Sequence, residues 1–267
     1  MPRDDSPMDA GAPPRRLRLA VIGAAGGLLS GMFGVGGGIL MVPLLVGFGR
    51  MDQRHAAATS LAAIVPASVA GATSYALAGQ VDWLAALFVA AGGVTGSFLG
   101  ARLLRRLPLG VLRWAFIALL IVVAARMALV APPRGGDGID FAWWTPFALF
   151  GIGILIGIAS GLFGIGGGVV AVPALVALFG AGDLVAKGTS LAIMLPTAAS
   201  GTFANVRAGL VDLRAGAVVG LAATICSLVG VSFAFLVPAE VSGWLFAALL
   251  VIAAVQLTVR ALRGRHR

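Results

Sequence analysis

This chain of 267 residues has a single cysteine, two histidines, one tyrosine and only 11% charged residues. One thiol excludes an intrachain disulfide, and Cys226 falls inside an apolar run, where it reads as a small core residue. The two histidines exclude a histidine-based metal cluster or charge-relay site: His55 sits beside Arg54 in a polar stretch and His266 in the tail, so neither can face a serine at depth. So few charges cannot cover a soluble globule of this length. With 60% hydrophobic residues and a mean hydropathy of +1.03, the chain is a membrane protein.

Carboxylates are scarce in a more telling way. Asp4, Asp5, Asp9, Asp52, Asp82, Asp137, Asp140, Asp183, Asp212 and Glu240 are all expected in tails or at span ends. A mid-membrane carboxylate is what cation exchangers and proton pumps commonly rely on, whereas an anionic substrate would be repelled by one. Asp82 and Asp212, at equivalent span starts, read as helix caps, with a proton-carrying role as the alternative. The net charge of +9 comes from arginines at span ends and tails, not from a basic face interleaved with aromatics, so no nucleic-acid partner is expected.

What the chain has in abundance is glycine, and it is ordered. Residues 27–46, GLLSGMFGVGGGILMVPLLV, return at 157–176 as GIASGLFGIGGGVVAVPALV, 130 residues on, with 12 of 20 positions identical. At the same offset Thr59, Ser60 and Leu61 match Thr189, Ser190 and Leu191; Pro66 matches Pro196; Gly79 and Asp82 match Gly209 and Asp212. The chain is a duplication. Apolar stretches near the roughly 20 residues of a spanning helix lie at 58–78, 84–101, 110–130, 188–206, 214–236 and 243–260. Their composition excludes a barrel, which would alternate in segments of about ten. The expected class is an all-α polytopic membrane protein.

Each repeated motif segment is too long for one upright crossing, since 30 residues make a helix of about 45 Å. Gly34, Gly36, Gly37 and Gly38, with Gly164, Gly166, Gly167 and Gly168, supply a break. About eleven residues on each side predict two half-helices meeting near the midplane and returning to the side of entry. Each repeat then holds a broken, re-entrant helix pair and three transmembrane helices, an odd number, so the two repeats are expected with inverted topology. Arginine placement agrees: re-entrant segments put fifteen arginines on one side and leave Arg126, Arg134 and Lys187 on the other, with Asp82, Asp137, Asp140, Asp183 and Glu240. Both termini are therefore expected in the cytoplasm, at the cell membrane.

The expected boundaries are a disordered tail at 1–16, a first repeat at 17–131, a connector at 132–143, a second repeat at 144–262 and a basic tail at 263–267. Arg15, Arg16 and Arg18 before an apolar run resemble a signal peptide, but cleavage there would remove half a duplicated unit.

The half-helix that starts after each glycine cluster should point free N–H groups and its positive dipole end at the repeat interface, which suits an anion. The candidate lining is Ser30, Pro43, Thr59, Ser60 and Pro66 with the first cluster, and Ser160, Pro173, Thr189, Ser190 and Pro196 with the second. Pro43 and Pro173 withhold an N–H a turn into each half-helix. Thr59, Ser60 and their counterparts have a second reading as helix caps. Asn205, whose repeat partner is Tyr75, is either an interhelical hydrogen bonder or a ligand contact. Gly27, Gly31, Gly157 and Gly161 read equally as packing positions, and Gly92, Gly96 and Gly100 as a packing or dimer face, which leaves a homodimer open. The GVGGG run follows no strand, so it is no dinucleotide loop, and neither metal nor cofactor is expected.

The doubled GxxSGxxGxGGGxxxxPxL pattern, at 27–45 and 157–175 and each followed by a TS…P segment, resembles the sulfite exporter TauE/SafE family of membrane transporters over about residues 17–262. The resemblance implies passage of sulfite or a sulfur-containing organic anion, not catalysis. The family signature falls on Ser30, Gly34, Gly36, Gly37, Gly38 and Pro43, and on Ser160, Gly164, Gly166, Gly167, Gly168 and Pro173. The expected function is secondary transport of a small anion by alternating access. The alternatives are a passive anion channel and a sulfur-handling membrane enzyme, for which Cys226 would be the only thiol.

Overall fold

The computed structural model describes residues 15–129, 139 and 141–263. The expected tail at 1–16, the connector around 132–140 and the basic tail at 263–267 lie largely outside these. The described residues form ten helices and no strand: α1 (Arg15–Phe33), α2 (Gly38–Gly47), α3 (Gln53–Leu77), α4 (Trp83–Arg106), α5 (Leu109–Leu129), α6 (Thr145–Phe163), α7 (Gly168–Phe179), α8 (Asp183–Arg207), α9 (Leu213–Leu236) and α10 (Ala239–Arg263). Seven of them, α1, α3, α4, α5, α6, α9 and α10, are long and apolar enough to cross a membrane. The protein is a multi-pass helical membrane protein, and α3, α4, α5, α8, α9 and α10 start and stop within a few residues of the six apolar stretches read from the sequence, although α8, which carries Asp183 and Lys187, is not among the seven apolar enough to cross.

The arms flanking each break are unequal, which corrects the expectation of two matched half-helices. The first arms, α1 and α6, have 19 residues each, and the second arms, α2 and α7, have 10 and 12. The long arms persist through their own glycines because those glycines are pressed against other helices. A methyl group on Gly23, Gly27 or Gly31 would overlap the carbonyls of Val219, Ala223 and Ser227 on α9. In the same way Gly153, Gly157 and Gly161 of α6 meet Val89, Gly93 and Ser97 of α4. Backbones that approach this closely trade the helical cost of glycine for dispersion contacts over several turns. Gly92, Gly96 and Gly100 of α4 face Phe150, Ile154 and Ile158 of α6, so that stripe is covered within the chain and is no dimer face.

Each long arm therefore lies on a helix of the other repeat, α1 on α9 and α6 on α4. Polar contacts at the helix ends repeat the pattern. Arg15 donates to Asp212 at 3.0 Å, and the Asp212 amide donates to the Thr59 hydroxyl at 3.1 Å. At the equivalent positions the Asp82 amide donates to Thr189 at 2.9 Å, and Asp82 also accepts from the Ile139 amide at 3.0 Å. Asp82 and Asp212 cap α4 and α9, accepting from Ala85 and Ala215.

Candidate functional site

Both breaks are built from left-handed glycines. Gly34, Gly36 and Gly37 have φ of 69°, 76° and 68°, and Gly164, Gly166 and Gly167 have 70°, 75° and 91°, a region that side-chain-bearing residues enter at a cost. Glycine is required at these six positions by conformation and at Gly38 and Gly168 by space. A Cβ on Gly38 would lie 2.5 Å from the Gly164 carbonyl oxygen, and one on Gly168 would lie 2.5 Å from that of Gly34. The two breaks thus pack on each other, with Gly34 beside Gly168 and Gly164 beside Gly38. They cross near Gly36 and Gly166, against Ile64 and Met194, which lie near the middle of α3 and α8.

The backbone in this crossing is rich in unused donors. The Leu40 and Met41 amides both turn to the Gly37 carbonyl at 3.1 and 2.9 Å, and Val170 and Ala171 turn to Gly167 at 3.0 and 3.0 Å. The amides before them, on Val35, Gly36, Gly37, Gly38 and Ile39 and on Ile165, Gly166, Gly167, Gly168 and Val169, have no acceptor among the described residues. All ten residues are buried. Buried amides without partners are rare in folded proteins, and here they occur as two consecutive sets of five.

Serine hydroxyls join them. Ser30, Ser60 and Ser160 are fully buried, and none of their hydroxyls has a partner. Ser160 is at the α7 start, its Cβ 3.5 Å from where a Cβ on Gly167 would sit. Ser190, the counterpart of Ser60, is engaged: it donates to the Gly34 carbonyl at 2.8 Å. Thr59 and Thr189 are engaged as well, as acceptors from the α9 and α4 caps, where they brace the repeats against each other. Pro43 and Pro173 lie inside α2 and α7 and are buried. Pro66 is exposed, with α9 at Gly220 beside it, and Pro196 is half-buried, so these two sit on the outer side of their helices.

Asn205 is fully buried and neither amide atom has a partner. Its counterpart Tyr75 is satisfied, donating to the Gly31 carbonyl at 2.9 Å, and its ring lies 5.6 Å from that of Phe235. Cys226 is half-buried on α9 rather than in the core.

A further group was misplaced by sequence reasoning. Asp183 and Lys187 look like span-end charges, but α8 begins at Asp183 and carries both into the protein, where their side chains are 10% and 3% exposed. Lys187 donates to Asp183 at 2.6 Å and to Ser242 of α10 at 2.9 Å. Its Cα lies against Gly34, 2.6 Å from where a Cβ on that glycine would be. The i, i+4 spacing of opposite charges just before an apolar run was the available signal.

Comparison with known proteins finds a family along most of the chain. The model of the family described as sulfite exporter TauE/SafE covers residues 2–127 and 149–267, one segment per repeat. The chain belongs to that family. Among relatives, YdhB of Bacillus subtilis, named a probable membrane transporter protein, is 27% identical over 219 residues, covering 79% of this chain and 87% of its own length. YunE of the same organism, named likewise, is 26% identical over 217 residues, covering 73% and 79%. MamO of Paramagnetospirillum magneticum, also named a probable membrane transporter protein, is 37% identical over 123 residues, but the match covers 43% of this chain and only 19% of MamO. The family and the names of these relatives point to membrane transport and away from enzymatic activity.

Proposed function

We propose that this protein is a secondary transporter that carries a small anion, sulfite or a sulfur-containing organic anion, across the cytoplasmic membrane by alternating access. The observation that carries the reading is the set of ten buried, unpartnered amides at the crossing of the two glycine breaks. Each set leads into the N-terminus of a short helix, where the dipole adds positive potential. The unpartnered hydroxyls of Ser30, Ser60 and Ser160 extend the donor set. No acceptor-only side chain competes, since among the described residues the buried carboxylate is Asp183, tied to Lys187. Such a site binds oxyanions by hydrogen bonds that need no counter-charge, which lets the anion leave as readily as it enters.

The repeats are read as inverted, with both termini cytoplasmic. In support, the starts of α1 and α3 share partners, Arg15 with Asp212 and Asp212 with Thr59, so the first motif segment ends on the side where it began. The starts of α4 and α8 are joined through Asp82 and Thr189 at the other end. The rocking bodies are not the sequence halves. Glycine-to-backbone packing joins α1 to α9 and α6 to α4, so one body holds α1 with α9 and the other α6 with α4, and the breaks lie between them.

The deciding experiment is flux in proteoliposomes with sulfite, sulfate and a short organosulfonate. Saturable, mutually competitive uptake is expected. Uptake that rises linearly with concentration would make the protein a channel. Loss of flux on Cys226→Ala would turn the reading toward sulfur chemistry at the thiol.

A further inference from the structure

We propose that Lys187 is a second anion-binding point, on one face of the membrane only, and that the Asp183 carboxylate is its built-in stand-in for the transported anion. The proposal rests on reading the protein as an anion carrier and names a site that reading does not use. Lys187 is the one buried cationic side chain among the described residues, 2% exposed, in a protein whose cargo is read as negative. A buried ammonium is costly unless partnered, and it persists where function uses it.

The geometry is that of an oxyanion already bound. Lys187 Nζ holds the Asp183 carboxylate at 2.6 Å, the distance of a charge-assisted bond, and Ser242 Oγ at 2.9 Å. These use two of its three N–H donors. Asp183 stands one turn nearer the start of α8 and is the more exposed of the pair, so the carboxylate lies on the approach side of the ammonium. An anion arriving from that face meets an ammonium held by a carboxylate, and can exchange with it. The exchange moves no proton and breaks no covalent bond. Behind the ammonium, the Lys187 backbone touches Gly34, whose carbonyl is held by Ser190, and Gly168 at the α7 start packs on that same carbonyl. The anion is thereby handed from a charged group to the amide site.

The duplication supplies a control. The equivalents of Asp183, Lys187 and Ser242 in the first repeat are Gln53, Ala57 and Leu112, so the pair has no copy at the other face. A structural brace required by the fold would be expected in both repeats. A charge on one face makes the two openings chemically different, which is what a directional carrier needs.

The test is sulfite binding, read as sulfite-dependent thermal stabilisation of purified protein in detergent, for wild type, Asp183→Asn, Lys187→Gln and the double variant. Freed from its carboxylate, Lys187 should bind sulfite about tenfold more tightly in Asp183→Asn, and Lys187→Gln should weaken binding about tenfold. The double variant removes both charges and so avoids an unpaired buried ion, which keeps it foldable; it should match Lys187→Gln. Unchanged or weaker binding in Asp183→Asn, or wild-type binding in the double variant, would overturn the proposal and leave the pair as a brace. Absence of sulfite flux in wild-type proteoliposomes would sink the transport reading alone, because tighter binding in Asp183→Asn does not depend on flux.

Discussion

Ser190 Oγ donates to the carbonyl of Gly34 across the two repeats at 2.8 Å, while its counterpart Ser60 is just as buried and has no partner. One of two equivalent hydroxyls is thus tied into the fold, and the other is unpaired. Ser190→Ala should cost about 1 kcal/mol, the usual net value of a buried hydrogen bond, seen as a lowered unfolding temperature. Ser60→Ala should leave that temperature nearly unchanged and raise the half-saturation concentration for anion flux severalfold. Equal thermal losses in both would contradict the assignment.

The break glycines should differ in what they tolerate. A Cβ on Gly37 would lie 2.1 Å from the backbone of Gly26, whereas one on Gly167 meets a side chain first, Ile156 Cγ2 at 2.6 Å, and backbone only at 3.2 Å. Both have positive φ, a strain of order 1–3 kcal/mol for alanine. Gly167→Ala is expected to insert and fold with impaired flux, and Gly37→Ala to lose folded yield. Size-exclusion profiles in detergent, set beside flux, separate the two effects.

Because α4 and α6 touch through glycine on both sides, a side chain there must push two backbones apart. Gly96→Leu, facing Ile154, is expected to destabilise by about 3 kcal/mol or more, beyond the range typical of overpacked cores, since backbone cannot repack. Thermal unfolding of the variant in detergent reads this directly. An unaltered unfolding temperature would mean that the helices are not in contact there.

Asp52 caps α3, accepting from the Arg54 and His55 amides at 2.8 and 3.0 Å and pairing with the His55 ring at 2.6 Å. Partial burial raises its pKa, but the His55 amide and ring and the Arg54 amide outweigh it, and the carboxyl is held below its ordinary 3.8. A lowered folded-state pKa means stability that is full above the unfolded value and is lost as pH falls through the folded one. Asp52→Ala should therefore cost about 1 kcal/mol at neutral pH, the usual value of a cap, and nothing once the pH is well below 3.8. Unfolding temperatures of the two proteins should differ at neutral pH and draw together only as the pH falls below 3.8.

Ala78 and Ala208 are exposed and stand 130 residues apart, at the same point of each repeat. With cysteine at one or the other in a Cys226→Ala background, an impermeant maleimide should label them from opposite sides of the membrane. Labelling from the same side would refute the inverted arrangement.

How much was legible depended on whether the cause was local. The plain spans were readable because hydropathy over 20 residues sets them, and the breaks because left-handed backbone calls for glycine wherever it occurs. The caps Asp82 and Asp212 followed from their place before apolar runs. Partners were another matter. Nothing in the pattern of Gly92, Gly96 and Gly100 says that it meets α6 rather than another copy of the chain, since small residues serve both equally. Pro66 and Ser60 lie on one helix six residues apart, yet one faces out and the other in, and a helix with polar, small and apolar residues all round offers no moment to tell them apart. Asp183 and Lys187 were misread because charge near a span end usually means water, and only the start of α8 and the presence of Ser242 place them inside.

The placement of α1 on α9 and of α6 on α4 makes the two repeats depend on each other. A single repeat on its own would carry a long arm whose glycine face has nothing to lie against, because the surface that covers it belongs to the other copy. Each copy thus completes the other, and neither can be unpacked without uncovering the glycine face of its partner.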